Sequence, residues 1–128
     1  MRLEDLNIYQ ISMKIGEKIW NIVNGWEYFE KNSFGLQLIK AADSIAANIS
    51  EGYGRFHFKD SKNFGYYARG SLFETKTWIE KSKNRKLITI DQYNELTSEL
   101  KDLGIKLNNY IKSIGKDYNS LYEPDFEY

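Results

Sequence analysis

The chain has no cysteine, one proline (Pro124) and one histidine (His57) among its 128 residues. Without cysteine there is no disulfide framework and no thiolate metal site, a composition that suits a reducing, cytoplasmic setting. With one histidine, neither a His-Glu-x-x-His zinc site nor the paired Glu-x-x-His motifs of di-iron bundles can be assembled. No Gly-x-x-x-x-Gly-Lys phosphate loop is present either. The expectation is therefore no catalytic residue, no metal and no cofactor. No stretch reaches the roughly 18 uninterrupted apolar residues of a membrane span, so no membrane partner is expected. The opening Met1-Arg2-Leu3-Glu4-Asp5 is acidic where a signal peptide would be basic. The lone proline lies near the end, so nothing upstream of it forbids long helices.

An excess of charge of either sign is also missing. Eighteen Lys/Arg balance 18 Asp/Glu, and a formal net charge of zero gives no global argument for a nucleic-acid partner. The distribution is less even. From Arg55 to Lys86 nine basic residues face three acids (Asp60, Glu74, Glu80), whereas Glu123, Asp125 and Glu127 make the last residues acidic. Aromatic residues are plentiful at 16%, which suggests more packing surface than the core of one small bundle uses.

Four helical segments follow from the apolar spacing, so the expected fold is an all-α, antiparallel up-down-up-down four-helix bundle over residues 1–116, with an acidic, aromatic tail at 117–128. The first helix is expected from about Glu4 to Trp26. At about 100° per residue, Leu6, Tyr9, Met13, Gly16, Trp20 and Val23 fall on one stripe. Ile8, Ile11, Ile15, Ile19, Ile22 and Trp26 form a second, roughly 115° away. One stripe suffices for a bundle core. The second predicts another burial, a contact between copies in a homo-oligomer.

Ser33 is a fitting cap for the second helix, with Phe34, Leu38, Ala41, Ala42, Ile45 and Ile49 inward. That helix is expected to stop at Glu51-Gly52-Tyr53-Gly54, where glycine tolerates positive φ. Asp60 or Ser61 is expected to cap the third, whose inner stripe reads Phe64, Tyr67, Ala68, Ser71, Leu72, Thr75, Trp78 and Ile79 and which frays in the basic run Lys81 to Lys86. Asp91 is expected to cap the fourth, where Tyr93, Leu96, Leu100, Leu103, Leu107, Tyr110 and Ile114 keep the 3-4 spacing of coiled-coil-like packing.

Three strings carry a resemblance: Leu6-Asn7-Ile8-Tyr9-Gln10, Ala41 to Arg55 (AADSIAANISEGYGR) and Tyr67 to Glu74 (YARGSLFE). Together they resemble the bacterial four-helix-bundle family encoded by intervening sequences within 23S ribosomal RNA genes, over roughly residues 3–115. The resemblance implies a left-handed antiparallel bundle, commonly a pentameric ring, with a nucleic-acid-associated role. A related branch serves diversity-generating retroelements, binding a reverse transcriptase and RNA through a strongly basic surface. This chain is neutral overall.

The segment from Tyr53 to Lys62 interleaves cations with aromatic rings. Arg55, His57, Lys59, Lys62 and, further on, Arg69 are the expected nucleic-acid contacts: cations would neutralise phosphates while rings stack on unpaired bases. The same residues also suit a plainer role, with glycines ending a helix, phenylalanines closing the bundle end and cations solvated. Asn48 is expected inward, as a hydrogen-bonded residue that fixes register. Glu51 is expected to pair with Arg69 across two helices. Gly16 and Gly70 are expected where helices approach closely, since helical glycine otherwise costs about 1 kcal/mol. Gly52 and Gly54 are structural. Two functions remain open at this level: an oligomeric bundle that associates with RNA or a nucleic-acid-handling protein through a basic surface, and a homo-oligomeric scaffold with a protein partner.

Overall fold

The structure, a computed structural model, describes residues 1–116, and the tail at 117–128 lies outside the described residues. Four long helices account for most of the chain, and there is no strand among the described residues. A short 3-10 turn, Leu3–Asp5, leads into α1, Asn7–Asn24. Helix α2 occupies residues 28–53 in three parts: Tyr28–Glu30, a π-helical turn at Lys31–Gly35, and Leu36–Tyr53. Helix α3 is Phe58–Asn84 and α4 is Ile90–Ser113. Helices adjacent in the chain pack side by side, and α1 also meets α4.

The core is aliphatic. Ile8, Ile15, Ile19 and Val23 of α1 meet Leu38, Ala42, Ile45 and Ile49 of α2, Ala68, Leu72 and Ile79 of α3, and Leu96, Leu100, Leu103, Leu107 and Ile111 of α4. Burying each such side chain contributes about 1.5–3 kcal/mol. The α4 seam is where its spacing puts it, with Ile111 rather than Ile114 as its last buried residue.

The isoleucine stripe of α1 requires a correction. Ile8, Ile15 and Ile19 are at most 1% exposed inside a single chain, so they have no surface left for a second copy. Ile11, Ile22 and Trp26 are half-buried and pack on the same core. The other stripe divides: Leu6, Gly16 and Val23 are buried, while Met13 and Trp20 stand out in solvent. β-Branched aliphatics have few rotamers to lose and fill the narrow seam. Long Met and Trp side chains cannot share it.

Glycine explains how closely the helices approach. A Cβ on Gly65 would lie 2.7 Å from Ile111 Cγ1, and one on Gly52 would lie 2.9 Å from Phe64 Cβ. Gly52 is thus a crossing point of α2 and α3, where Ser61 Oγ also donates to its carbonyl at 2.9 Å. Neither it nor the C-cap residue Gly54 adopts positive φ, contrary to the expected turn. Gly16 does meet a neighbour, Asp43 Oδ1 at 3.0 Å, but Gly70 has nothing within 4 Å. The expectation of close helix packing fails at Gly70.

Helix boundaries also differ from those expected. Ser33 lies inside the π-turn and donates to the Phe29 carbonyl instead of capping. His57 precedes α3 without a side-chain cap, so Asp60 and Ser61 lie within the helix. Thr89, not Asp91, caps α4: Thr89 Oγ1 accepts from Gln92 N–H at 3.0 Å, and Gln92 Oε1 accepts from Thr89 N–H at 2.9 Å. The basic run does not fray before Asn84. Lys86 takes left-handed backbone (φ 60°) and the Leu87 N–H reaches back to the Ser82 carbonyl at 2.9 Å, a Schellman-type stop.

Candidate nucleic-acid interface

The cations expected to form one patch separate into different roles. Lys62 is 6% exposed, and burial, together with the charge of Lys116, pulls its ammonium below the usual lysine range. It is buried beside the end of α4 and is not presented as a phosphate contact. Arg55 is held by Glu51 at 2.9 Å, one turn back, and lies 4.6 Å from the centre of the Phe64 ring. The expected Glu51–Arg69 pair is therefore replaced, because Glu51 and Arg55 are i,i+4 neighbours that need no inter-helix reach. His57 and Lys59 are exposed at the start of α3, with Phe56 edge-on to the His57 ring at 5.1 Å. Asn48 is half-buried and donates to the Ser44 carbonyl of its own helix at 2.9 Å. That bond satisfies its amide locally.

Arg69 remains at the surface and does not stand alone. Its guanidinium carbon lies 5.6 Å from the centre of the Tyr66 ring, and Nη1 donates to Asn108 Oδ1 of α4 at 3.2 Å. Two turns further, Lys76 Nζ lies 5.4 Å from the centre of the Phe73 ring. Tyr66, Arg69, Phe73 and Lys76 follow one another at 3-4-3 spacing, which aligns them on one face of α3. Both rings are exposed, Tyr66 at 36% and Phe73 at 56%. Gly70 lies between them and leaves the backbone bare. The outer face of α3 thus alternates aromatic ring and cation along a shallow notch.

Tyr66 and Phe73 escape a reading of the sequence because aromatic residues at helical spacing read first as core. The signal that finds them is a ring and a cation three residues apart, twice, on one helix: Tyr66/Arg69 and Phe73/Lys76. Tyr67, expected inward, is 57% exposed beside this face.

The other acids do not suggest chemistry. Lys18 Nζ binds Glu99 at 2.8 Å and Glu95 at 3.2 Å, strapping α1 to α4 and raising the lysine's pKa chiefly through Glu99. Asp102 pairs with Lys106 at 3.0 Å. Asp43 lies beside Glu17 in a groove between α1 and α2, and partial burial, then the Glu17 charge, holds its carboxyl above the ordinary range. No group of three or more His, Cys, Asp or Glu able to hold a metal ion occurs among the described residues. No described helix is long and apolar enough to cross a membrane.

A helical bundle with a ring-and-cation face on one helix is the class that this geometry defines. The model of the 23S rRNA-intervening sequence protein family matches residues 4–109, and the chain belongs to that family. Its fold is similar to a crystal structure from Bacteroides thetaiotaomicron VPI-5482, described as a protein of unknown function from the S23 ribosomal protein family. The two share a TM-score of 0.74 and 23% identity, over 83% of this chain and 99% of that one. No curated protein matches the chain.

Proposed function

We propose that this protein is a non-enzymatic, homo-oligomeric, up-down-up-down helical bundle that associates with single-stranded RNA through the outer face of α3. The observation that carries this reading is the exposed alternation Tyr66, Arg69, Phe73, Lys76. Single-stranded nucleic acid is held where cations follow its backbone and rings offer stacking platforms. A neutral net charge does not oppose such binding, because only the local field at the stripe acts on the strand. Arg55 and His57 just before the same helix, and Lys59 in its first turn, would extend the contact. Membership of a family whose genes lie within ribosomal RNA supports the same partner class.

The test is binding of an unstructured RNA oligonucleotide across a salt series. Replacing Arg69 and Lys76 together by alanine should lower the slope of log affinity against log salt by about 1.4, two cations at about 0.7 each for a single strand. Unchanged affinity and slope in a folded double variant would remove the stripe from the reading.

A second reading has its own observation. Met13 and Trp20 of α1 and Leu36 of α2 are 44%, 52% and 54% exposed, apolar side chains left uncovered by the described residues. Those side chains would serve assembly into a ring, the pentamer that the family resemblance implies, or a scaffold without RNA. Trp20→Lys with Leu36→Lys should reduce the mass measured by light scattering while leaving helical content intact. A wild-type mass of 15.1 kDa would overturn self-association.

A further inference from the structure

A hollow lies away from the α3 stripe, where the chain before Leu36 meets the end of α3. It measures about 570 Å³, within the range of small-ligand sites. Its lining combines three aromatic side chains, Phe29, Phe34 and Trp78, with Arg85, Glu30 and Gln37. The π-turn at Lys31–Gly35 places Phe29 and Phe34 on this rim. Such turns are rare, since they give up regular hydrogen bonding, and they recur at functional sites. Here Asn32 and Ser33 stabilise it by donating to the Tyr28 and Phe29 carbonyls.

Two features point to a ligand. The Arg85 guanidinium carbon lies over the Phe34 ring, 4.8 Å from its centre, and no carboxylate pairs with it among the described residues. Trp78 forms part of the wall, edge-on to Phe34 at 5.5 Å, and its indole N–H is buried with no acceptor among the described residues. A buried donor without a partner is unfavourable, and most native structures avoid one. The Trp26 indole close by is satisfied, donating to the Leu87 carbonyl at 2.9 Å. The contrast singles out Trp78.

We propose that this hollow binds the base of a nucleotide. A base would stack on the outer plane of the Arg85 guanidinium and against the exposed Phe29 ring, as unpaired bases stack on arginine and aromatic groups. Glu30 and Gln37 supply an acceptor and an amide for the base edge. The Trp78 N–H is closed off from the hollow as the ring stands, and a small turn of the indole as the base enters would bring it to a base carbonyl or ring nitrogen. Lys86 follows Arg85 in the chain and is exposed. This goes beyond the stripe reading, because a free nucleotide and a nucleotide within a strand offer the same chemistry.

The experiment titrates the protein with each of the four nucleoside 5′-monophosphates, with ribose 5-phosphate, and with a short unstructured RNA oligonucleotide. The readout is the indole N–H resonances of Trp20, Trp26 and Trp78 in a proton–nitrogen spectrum, assigned with Trp78→Phe. The expected result is a saturable shift of the Trp78 resonance with at least one mononucleotide and none with ribose 5-phosphate. Arg85→Ala and Phe29→Ala should each weaken binding roughly five- to a hundredfold, the equivalent of one lost stacking contact. Both side chains are exposed, so both variants should fold. An oligonucleotide that binds at least ten times more tightly than the mononucleotide, and loses that margin in the Arg69/Lys76 double variant, would identify a strand as the source. Comparable affinities would identify the free nucleotide. No shift of Trp78 with any nucleotide at millimolar concentration would overturn the proposal, as would an equal shift with ribose 5-phosphate. Mononucleotide binding that survives both Arg85→Ala and Phe29→Ala would overturn the pocket, and RNA binding that fails in the Arg69/Lys76 double variant would then leave the stripe standing.

Discussion

Helices α1 and α3 use their bulky residues in opposite ways. In α1 the branched aliphatics Ile8, Ile15 and Ile19 are sealed inside, and little aromatic surface is needed to complete the seam. In α3 the inward positions are small or modest, Gly65, Ala68, Leu72, Thr75, Ile79 and Ser82, while Tyr66, Tyr67 and Phe73 face out. Close approach drives the difference. Gly65 meets Ile111 and Gly52 meets Phe64, approaches that leave no room for a larger side chain at either glycine. Rings that face out gain cation partners at the surface, each worth about 0.5–1 kcal/mol where exposed. Hydrophobicity alone therefore does not say which side of a helix is inside. Size and branching do.

The contrast can be broken most directly at its two extremes. Ile15→Ala should destabilise the chain by about 2–5 kcal/mol in a urea titration, as deletion from a closed core does. Phe73→Ala should stay within about 1 kcal/mol. Equal losses would mean that Phe73 is packed and not presented. The two glycines of α3 sharpen the point. Gly65→Ala should cost about 1–3 kcal/mol by overpacking against Ile111, whereas Gly70→Ala should stabilise by up to about 1 kcal/mol because no described atom opposes the new methyl. A destabilising Gly70→Ala would show a neighbour over the notch, such as another copy, within the purified protein. At the end of α3, Lys86→Gly should raise stability by about 1 kcal/mol, since glycine adopts φ near 60° without a side-chain clash.

The smallest expected effect lies between α1 and α2. Asp43 has a raised folded-state pKa, so its carboxyl favours the folded chain most in acid, and that contribution is lost as pH rises through the folded pKa. Asp43→Asn should thus raise Tm slightly at neutral pH and leave it unchanged where the carboxyl is protonated. A drop in Tm at neutral pH would mean that the carboxylate holds an interaction that Glu17 does not oppose.

Much of α2 and α4 was legible in advance because each offers a single apolar stripe. Leu38, Ala41, Ala42, Ile45 and Ile49 are buried together, as are Leu96, Leu100, Leu103 and Leu107. In α1 two stripes of equal length compete, and spacing carries no information about which turns inward. The basic segment misled for a related reason: Arg55 to Lys86 is contiguous in sequence, but a helix of 27 residues is about 40 Å long and distributes its cations around its circumference. Lys62 lies two turns before Arg69 on the same side of α3, but it is buried beside Lys116 just past the end of α4, while Arg69 and Lys76 stay exposed. The hollow at Arg85 left no pattern to read, since it joins residues near 30, 78 and 85 that only the fold brings together.

The π-turn at Lys31–Gly35 acts as a phase shift. A π-turn accommodates one residue more than the α-helical turn it replaces, which displaces the side chains before it by about 100° around the axis relative to those after it. Leu38, Ala42 and Ile45 can then keep their register with the core while Phe29 and Glu30 are set by a different one. Deleting a single residue from the turn would rotate those two side chains off the rim while leaving the seam beyond Leu36 in register. One residue thus separates the part of α2 that builds the bundle from the part that shapes its surface.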